Sequence, residues 1–215
     1  MQFFDSTRIF VLILSTGLCL QAQTREAATE AKGIPPRATP ADYQSRAQAG
    51  TVTIAAEFTG HSFPTAEGPV TTDEYVAVEV ALFGPAGAAL KISTDNFSLK
   101  VNGKKTPLPS LPYGVTFSSL KDPEWIPPEP VEKKSKSSMG GGGQGQNDPP
   151  PAPAKMTVKE LRALGIRVQK AALAEGDRPL PQAGLLFFQY RSKNIQSVEL
   201  FYDGPAGKAS LNLQP

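Results

Sequence analysis

The chain is 215 residues long, 40% hydrophobic, and carries a formal net charge of +2. That length holds one good-sized domain or two small ones, and the near-neutral charge shows none of the basic stripe that nucleic-acid binding requires. The 21 prolines and 19 glycines, close to a fifth of the residues, point to many turns and at least one segment without regular structure.

Residues 1–23 have the order of a secretory signal peptide. Arg8 precedes the uncharged run IFVLILSTGLCL, and the small or polar residues QAQT follow. The run is shorter than the ~20 residues that span a bilayer as a helix, so no membrane span is expected once the signal is cleaved. Cys19 is the only cysteine. Leu18 stands where a lipobox requires a small residue, which argues against a lipoprotein anchored through Cys19. The mature chain then has no thiol, and an exported domain, periplasmic or extracellular, must be held together by core burial alone.

Residues 24–50 are polar, alanine-rich and interrupted by Pro35, Pro36 and Pro40, and read as a disordered leader. Strand patterning starts at Thr51. Val52, Ile54, Ala56 and Phe58 alternate onto one face, GHSFPTAEGP reads as a loop, and Val76, Val78, Val80 and Leu82 form the apolar face of a long strand. Phe97, Leu99 and Val101 lead into Asn102-Gly103, a dipeptide suited to the positive φ of a type I′ hairpin turn. Residues 107–130 are proline-rich and loop-like, with Tyr113, Phe117 and Trp125 among them.

Residues 131–154 carry no apolar pattern and read as a disordered Gly/Pro-rich linker, flexible in GGGGQGQ and extended in PPPAP. Thr157 and Glu160 then match a capping box. Val158, Leu161, Leu164 and Val168 recur at helical spacing, which suggests a helix over about 157–164, with continuation past Gly165 left open because that glycine weakens it by ~1 kcal/mol relative to alanine. IRVQKAAL also alternates as a strand would, so 157–172 stays open between helix and strand. GLLFFQY, IQSVELFYD and KASLNL return to strand patterning, with Val198, Leu200 and Tyr202 on one face and Ala209, Leu211 and Leu213 on another.

The tetrapeptide GPAG occurs twice, at 84–87 and 204–207, each time between alternating apolar runs. Proline presets the backbone of a turn and glycine closes it, so GPAG reads as a hairpin turn used twice. A phosphate-cradling loop would need a following helix, and strand patterning follows instead.

Catalytic and cofactor signals are sparse, and no catalytic, cofactor-binding or metal-ligating residues are assigned. His61 is the only histidine, too few for a typical metal site, and no G-x-S-x-G elbow presents a serine. Asp73-Glu74 and Asp122/Glu124 are neighbouring acids of the kind usually solvated in loops. Asp95-Asn96 lacks the spacing of a calcium loop. The best candidate binding surface is LPYGVTFSSLKDPEWIPPEP, with Tyr113, Phe117 and Trp125 as contact residues; the competing role for these aromatics is to cover an open end of the fold.

YVAVEVALF, DNFSLKVNGK and GLLFFQYRSKNIQSVELFY, about a third of the chain, resemble secreted bacterial immunoglobulin-like domains of the telokin-like or immunoprotective extracellular kind. The resemblance implies a non-enzymatic domain acting in envelope interactions and carries over no binding residue. The long Gly/Pro segment and the helix-like stretch depart from the family pattern.

These readings combine into an all-β expectation. It is an immunoglobulin-like antiparallel β-sandwich of roughly seven strands built from 51–130 and 155–215, with a disordered Gly/Pro-rich insertion and room for one short helix. The expected function is that of an exported, non-catalytic envelope protein whose partner is an envelope protein or glycan. The alternative is a carbohydrate- or peptide-binding module using the aromatic loop 113–125, and a hydrolase using carboxylates or His61 ranks below both. Trypsin should cut the folded protein within Lys133–Lys136 and leave two associated fragments; resistance of these lysines would contradict the linker reading.

Overall fold

The computed structural model describes residues 31–127 and 155–215, and β-strands dominate both stretches. In chain order the strands of the first stretch are β1 (Ser45–Ala49), β2 (Val52–Gly60), β3 (Ser62–Phe63), β4 (Val70–Thr72), β5 (Tyr75–Phe83), β6 (Ala89–Ile92), β7 (Phe97–Val101), β8 (Leu108–Pro109) and β9 (Leu120–Lys121). Helix α1 (Val158–Ala171) opens the second stretch, followed by β10 (Gly176–Pro179), β11 (Gln182–Gln189), β12 (Val198–Gly204) and β13 (Gly207–Leu213). The signal-peptide and linker expectations, at 1–23 and 131–154, lie outside the described residues.

Two four-stranded antiparallel sheets, ordered β1-β2-β5-β11 and β13-β12-β7-β8, share the main core. Period-2 alternation explains which residues meet there. Ile54 and Ala56 of β2, Val76 to Leu82 at alternate positions of β5, and Leu186 and Phe188 of β11 point to one side. Phe97, Leu99 and Val101 of β7, Val198, Leu200 and Tyr202 of β12, and Leu211 and Leu213 of β13 meet them. These are the faces that the alternation predicted.

The other face of the first sheet is covered as well. Tyr75, Ala77, Leu185 and Phe187 pack with Leu164, Val168 and Ala171 of α1, and with Phe63, Val70 and Leu120 of the small sheet β3-β4-β9. β5 is therefore buried along both faces from Tyr75 to Leu82. The stretch that looked like a loop, GHSFPTAEGP, contributes β3, and its Phe63 is fully buried, edge-on to Phe187 at 5.1 Å between ring centroids.

The disordered-leader expectation for 24–50 fails over its described part. Ile34 N–H donates to the Ala183 carbonyl at 3.0 Å, Pro40–Asp42 form a capped 3-10 turn, and β1 pairs with β2. Tertiary partners account for this order. Tyr43 is buried against Ala55, Ala81 and Ala183. Arg37 stacks 4.5 Å over the Tyr43 ring and pairs with Glu57 at 2.5 Å and with Glu79 at 3.2 Å. Among the described residues Glu79 is the only charged residue that is buried, and Arg37 supplies its counter-ion. The hydrogen bond that Arg37 donates to Glu57, the largest cause, raises the Arg37 pKa above its usual value.

Only one GPAG is a hairpin. Gly204 and Gly207 pair across β12 and β13, with Pro205-Ala206 as the loop. At 84–87 the chain turns, Ala88 N–H donating to the Pro85 carbonyl at 3.0 Å, but β5 and β6 do not pair. β6 leaves to pair with β10. Local turn chemistry was read correctly; the partner of the following strand was not local.

The exposed edge of β11 is closed by three different segments. Its carbonyls at Ala183, Leu185 and Phe187 accept from Ile34 at 3.0 Å, Leu173 at 3.0 Å and Leu111 at 2.8 Å. A bare strand edge is a template for aggregation, and these contacts remove it. At the crossing of Leu173, Gly184 has no room for a side chain, since a Cβ there would lie 2.3 Å from the Leu173 Cα. Gly184→Ala should therefore lower stability by about 3 kcal/mol, the upper end of overpacking costs, in a urea unfolding titration. An effect below measurement error would show that Leu173 can retreat.

Candidate functional site

The open question at 157–172 resolves as a helix. Thr157 Oγ1 accepts from Glu160 N–H, and the Glu160 carboxylate accepts from Thr157 N–H at 2.6 Å, closing the capping box. Of the two ends left open, near 164 or beyond Gly165, the helix takes the second and runs to Ala171, because Leu164, Val168 and Ala171 bury against the first sheet. Packing of one face outweighs the roughly 1 kcal/mol that glycine costs in a helix.

The aromatic loop wraps this helix. Tyr113 and Phe117 lie in a 3-10 helix, Tyr113–Ser119, that packs against α1. The Tyr113 hydroxyl accepts from Gln169 Nε2 at 2.9 Å. Trp125 donates from Nε1 to Glu160 Oε1 at 3.0 Å. Tyr113 and Trp125 therefore anchor to opposite ends of α1. Nine residues of helix separate their partners, about 14 Å at 1.5 Å per residue. The sequence-based surface is thus divided between two places.

Arg167 holds the helix from a third side. Its guanidinium donates to the carbonyls of Glu67 at 2.8 Å and Gly68 at 2.9 Å, and pairs with Asp122 at 3.1 Å. Asp122, considered above as half of a carboxylate pair, is thereby a structural ion-pair partner. Asp73 pairs with Lys121 and Lys193, and Glu74 with Arg191. The hydrogen bond from Lys121 is the main cause that lowers the Asp73 pKa. His61 sets Nδ1 2.8 Å from the Tyr75 carbonyl and Nε2 3.3 Å from the Ser192 carbonyl, so both ring nitrogens face backbone. Among the described residues no three His, Cys, Asp or Glu side chains are grouped to hold a metal.

One end of the aromatic surface opens into a cleft of about 470 Å³. Leu111, Leu185, Phe187, Ala172 and Leu173 give it an apolar lining, while Tyr113, Gln169, Thr94, Glu175 and Arg178 supply polar groups. Glu175 Oε1 accepts from Thr94 N–H and Oγ1–H, both at 2.9 Å. Arg178 donates from Nε to the Glu175 carbonyl at 2.8 Å. A cavity of this size with few convergent polar groups suits a small ligand or a single inserted side chain. Leu111, Pro112 and Tyr113 belong to the aromatic loop singled out from the sequence, whereas the polar residues Thr94, Gln169, Glu175 and Arg178 carry no sequence signal and match no motif. Thr94, Leu111 and the run from Gln169 to Arg178 come from separate segments.

No protein-family profile matches the chain, and no curated protein matches it in sequence. Among solved structures it is similar to YcdA of Bacillus subtilis, which carries a provisional lipoprotein description, at 12% identity and a TM-score of 0.36. The match covers 79% of this chain and 38% of the Bacillus chain, so this chain spans well under half the length of that protein. Among the described residues no helix is long and apolar enough to cross a membrane.

Acid should loosen the Trp125 end of the site. Glu160 has its pKa lowered, first by the Thr157 backbone hydrogen bond and then by that of Trp125. A carboxyl with a depressed folded-state pKa stabilises the folded form above its unfolded pKa, and that contribution is lost as pH falls through the folded one. Trp125 fluorescence, the only tryptophan signal, should shift below the ordinary glutamate range before global unfolding. The shift should vanish in Glu160→Gln; its persistence would assign it to another group.

Proposed function

We propose that this chain is an exported, non-catalytic interaction module of the cell envelope, with an immunoglobulin-like sandwich as its scaffold and the Tyr113 cleft as its binding site. The observation that carries the proposal is the cleft's composition. It has an apolar lining, and its single carboxylate, Glu175, is engaged by Thr94. General acid–base work on a glycoside needs two carboxyls facing one space, and nucleophilic work needs an activated hydroxyl or thiol. Neither set lines this cleft.

Export is supported by the order of residues 1–23 and by a mature sequence without cysteine. The immunoglobulin-like reading is supported by two antiparallel four-stranded sheets sharing one core. The ligand class is a peptide side chain or a glycan ring. Either could stack on Tyr113 and exchange hydrogen bonds with Gln169. Of the aromatic loop proposed from sequence, the Tyr113 end fits this role better than Trp125, whose indole N–H is engaged by Glu160.

The experiment is cross-linking of the tagged mature protein in its native envelope, with captured peptides and glycans identified by mass spectrometry. One reproducible partner should be recovered, lost with Tyr113→Ser or Gln169→Ala and retained with Trp125→Phe. No partner above background, or one retained by both cleft variants, would overturn the assignment of the cleft.

A further inference from the structure

The outer face of α1 carries a feature that the cleft does not use. Residues four apart on a helix stack along one face. Val158, Arg162, Ile166 and Lys170 form such a row, and all four are exposed. Lys159 and Ala163 lie beside them and are exposed too. The large hydrophobic side chains exposed among the described residues are Val115 at 43%, Ile126 at 84%, Val158 at 75% and Ile166 at 38%. Two are in this row. The other two are on the segments that flank the helix, the 3-10 helix held through Tyr113–Gln169 and the Trp125 segment held through Glu160.

The net charge of the face is positive. Glu160 is the only acid in α1, and its carboxylate is taken by the Thr157 cap and Trp125. Lys155, Lys159 and Arg162 pair with no acid among the described residues, while Lys170 shares Glu67 at 3.4 Å. Apolar side chains standing out among unpaired cations, on a helix whose opposite face is buried, form the pattern of a helix lying in a membrane interface.

We propose that this face docks the protein, peripherally, on an anionic phospholipid bilayer, with Val158 and Ile166 entering the headgroup boundary and Lys155, Lys159 and Arg162 meeting lipid phosphates. Charge complementarity selects this occupant. Each cation near an anionic surface strengthens binding severalfold, and the α1 face presents no free carboxylate to oppose it.

Vesicle flotation of the full mature protein tests this, using phosphatidylcholine vesicles with and without phosphatidylglycerol. Flotation should require phosphatidylglycerol and fall as salt rises. Lys159→Gln combined with Arg162→Gln should weaken binding about 25-fold. Val158→Ser combined with Ile166→Ser should weaken it about tenfold. Lys159, Arg162 and Val158 stand well out into solvent, so the glutamine pair should leave the unfolding midpoint at the wild-type value. Ile166 is only 38% exposed, so the serine pair should lower the midpoint slightly while leaving the protein folded at the assay temperature, and the cleft variant Tyr113→Ser should float as wild type does. Absence of flotation with phosphatidylglycerol would overturn the proposal. So would unchanged binding by the glutamine pair, which would move the interaction to the lysines at 133–136. Unchanged binding by the serine pair would also overturn it, since a face that reads charge alone would bind soluble polyanions equally well.

Discussion

β5 is the constraint on which the rest of the molecule depends. From Tyr75 to Leu82 it is buried on both faces, which an antiparallel strand in a two-layer protein need not be. Each fully buried valine or leucine contributes about 2 kcal/mol relative to exposure. That gain requires two separate covers. The second sheet supplies one. The other is assembled from α1, the small sheet β3-β4-β9 and the segment around Tyr43. A third layer is therefore a necessity of the sequence YVAVEVALF, whose odd and even positions are both largely apolar.

The second cover explains why so much apparent loop is ordered. Residues 31–44, 60–72, 108–121 and 172–174 each bring an apolar side chain, a hydrogen bond, or both, to the outer face or free edge of the first sheet. Three of these segments donate in turn to Ala183, Leu185 and Phe187. Among the described residues every buried side-chain polar atom has a partner. Asn102 adds a further tie at an exposed turn. Its side chain accepts from Gln196 N–H at 2.7 Å and donates to the Asn194 carbonyl at 2.8 Å, tying the loop before β12 to the end of β7. A domain without disulfides is held in this way, through many contacts of about a kilocalorie each.

α1 connects this architecture to function. Its inner face, Leu164, Val168 and Ala171, completes the cover of β5. Its C-terminal end walls the cleft with Gln169, and Ala172 and Leu173 just beyond it continue the wall. Its outer face is left exposed and cationic. The clamps at Trp125, Arg167 and Tyr113 fix the helix on three sides. The cleft and the outer face are thus presented by one rigid element in a fixed mutual orientation, so a partner in the cleft and a surface under the helix could be engaged together.

Strand faces were legible in the sequence because side-chain direction in a strand has period two, so the face a residue joins follows from its position alone. Val52 to Phe58, Val76 to Leu82, Phe97 to Val101 and Val198 to Tyr202 all point as the alternation requires. The capping box of α1 and the positive φ of Asn102 and Gly103 were legible for the same reason, being set by residues within a few positions. What the tertiary structure alone decided was every partnership over distance. The pairing of β6 with β10 instead of β5, the ordering of 31–50 by Arg37 and Tyr43, the separation of Tyr113 from Trp125, and a cleft drawn from five segments carry no local signature. Each depends on surfaces that exist only after the sheets have formed. A sequence states which face of an element is apolar; only the folded chain determines what lies against it.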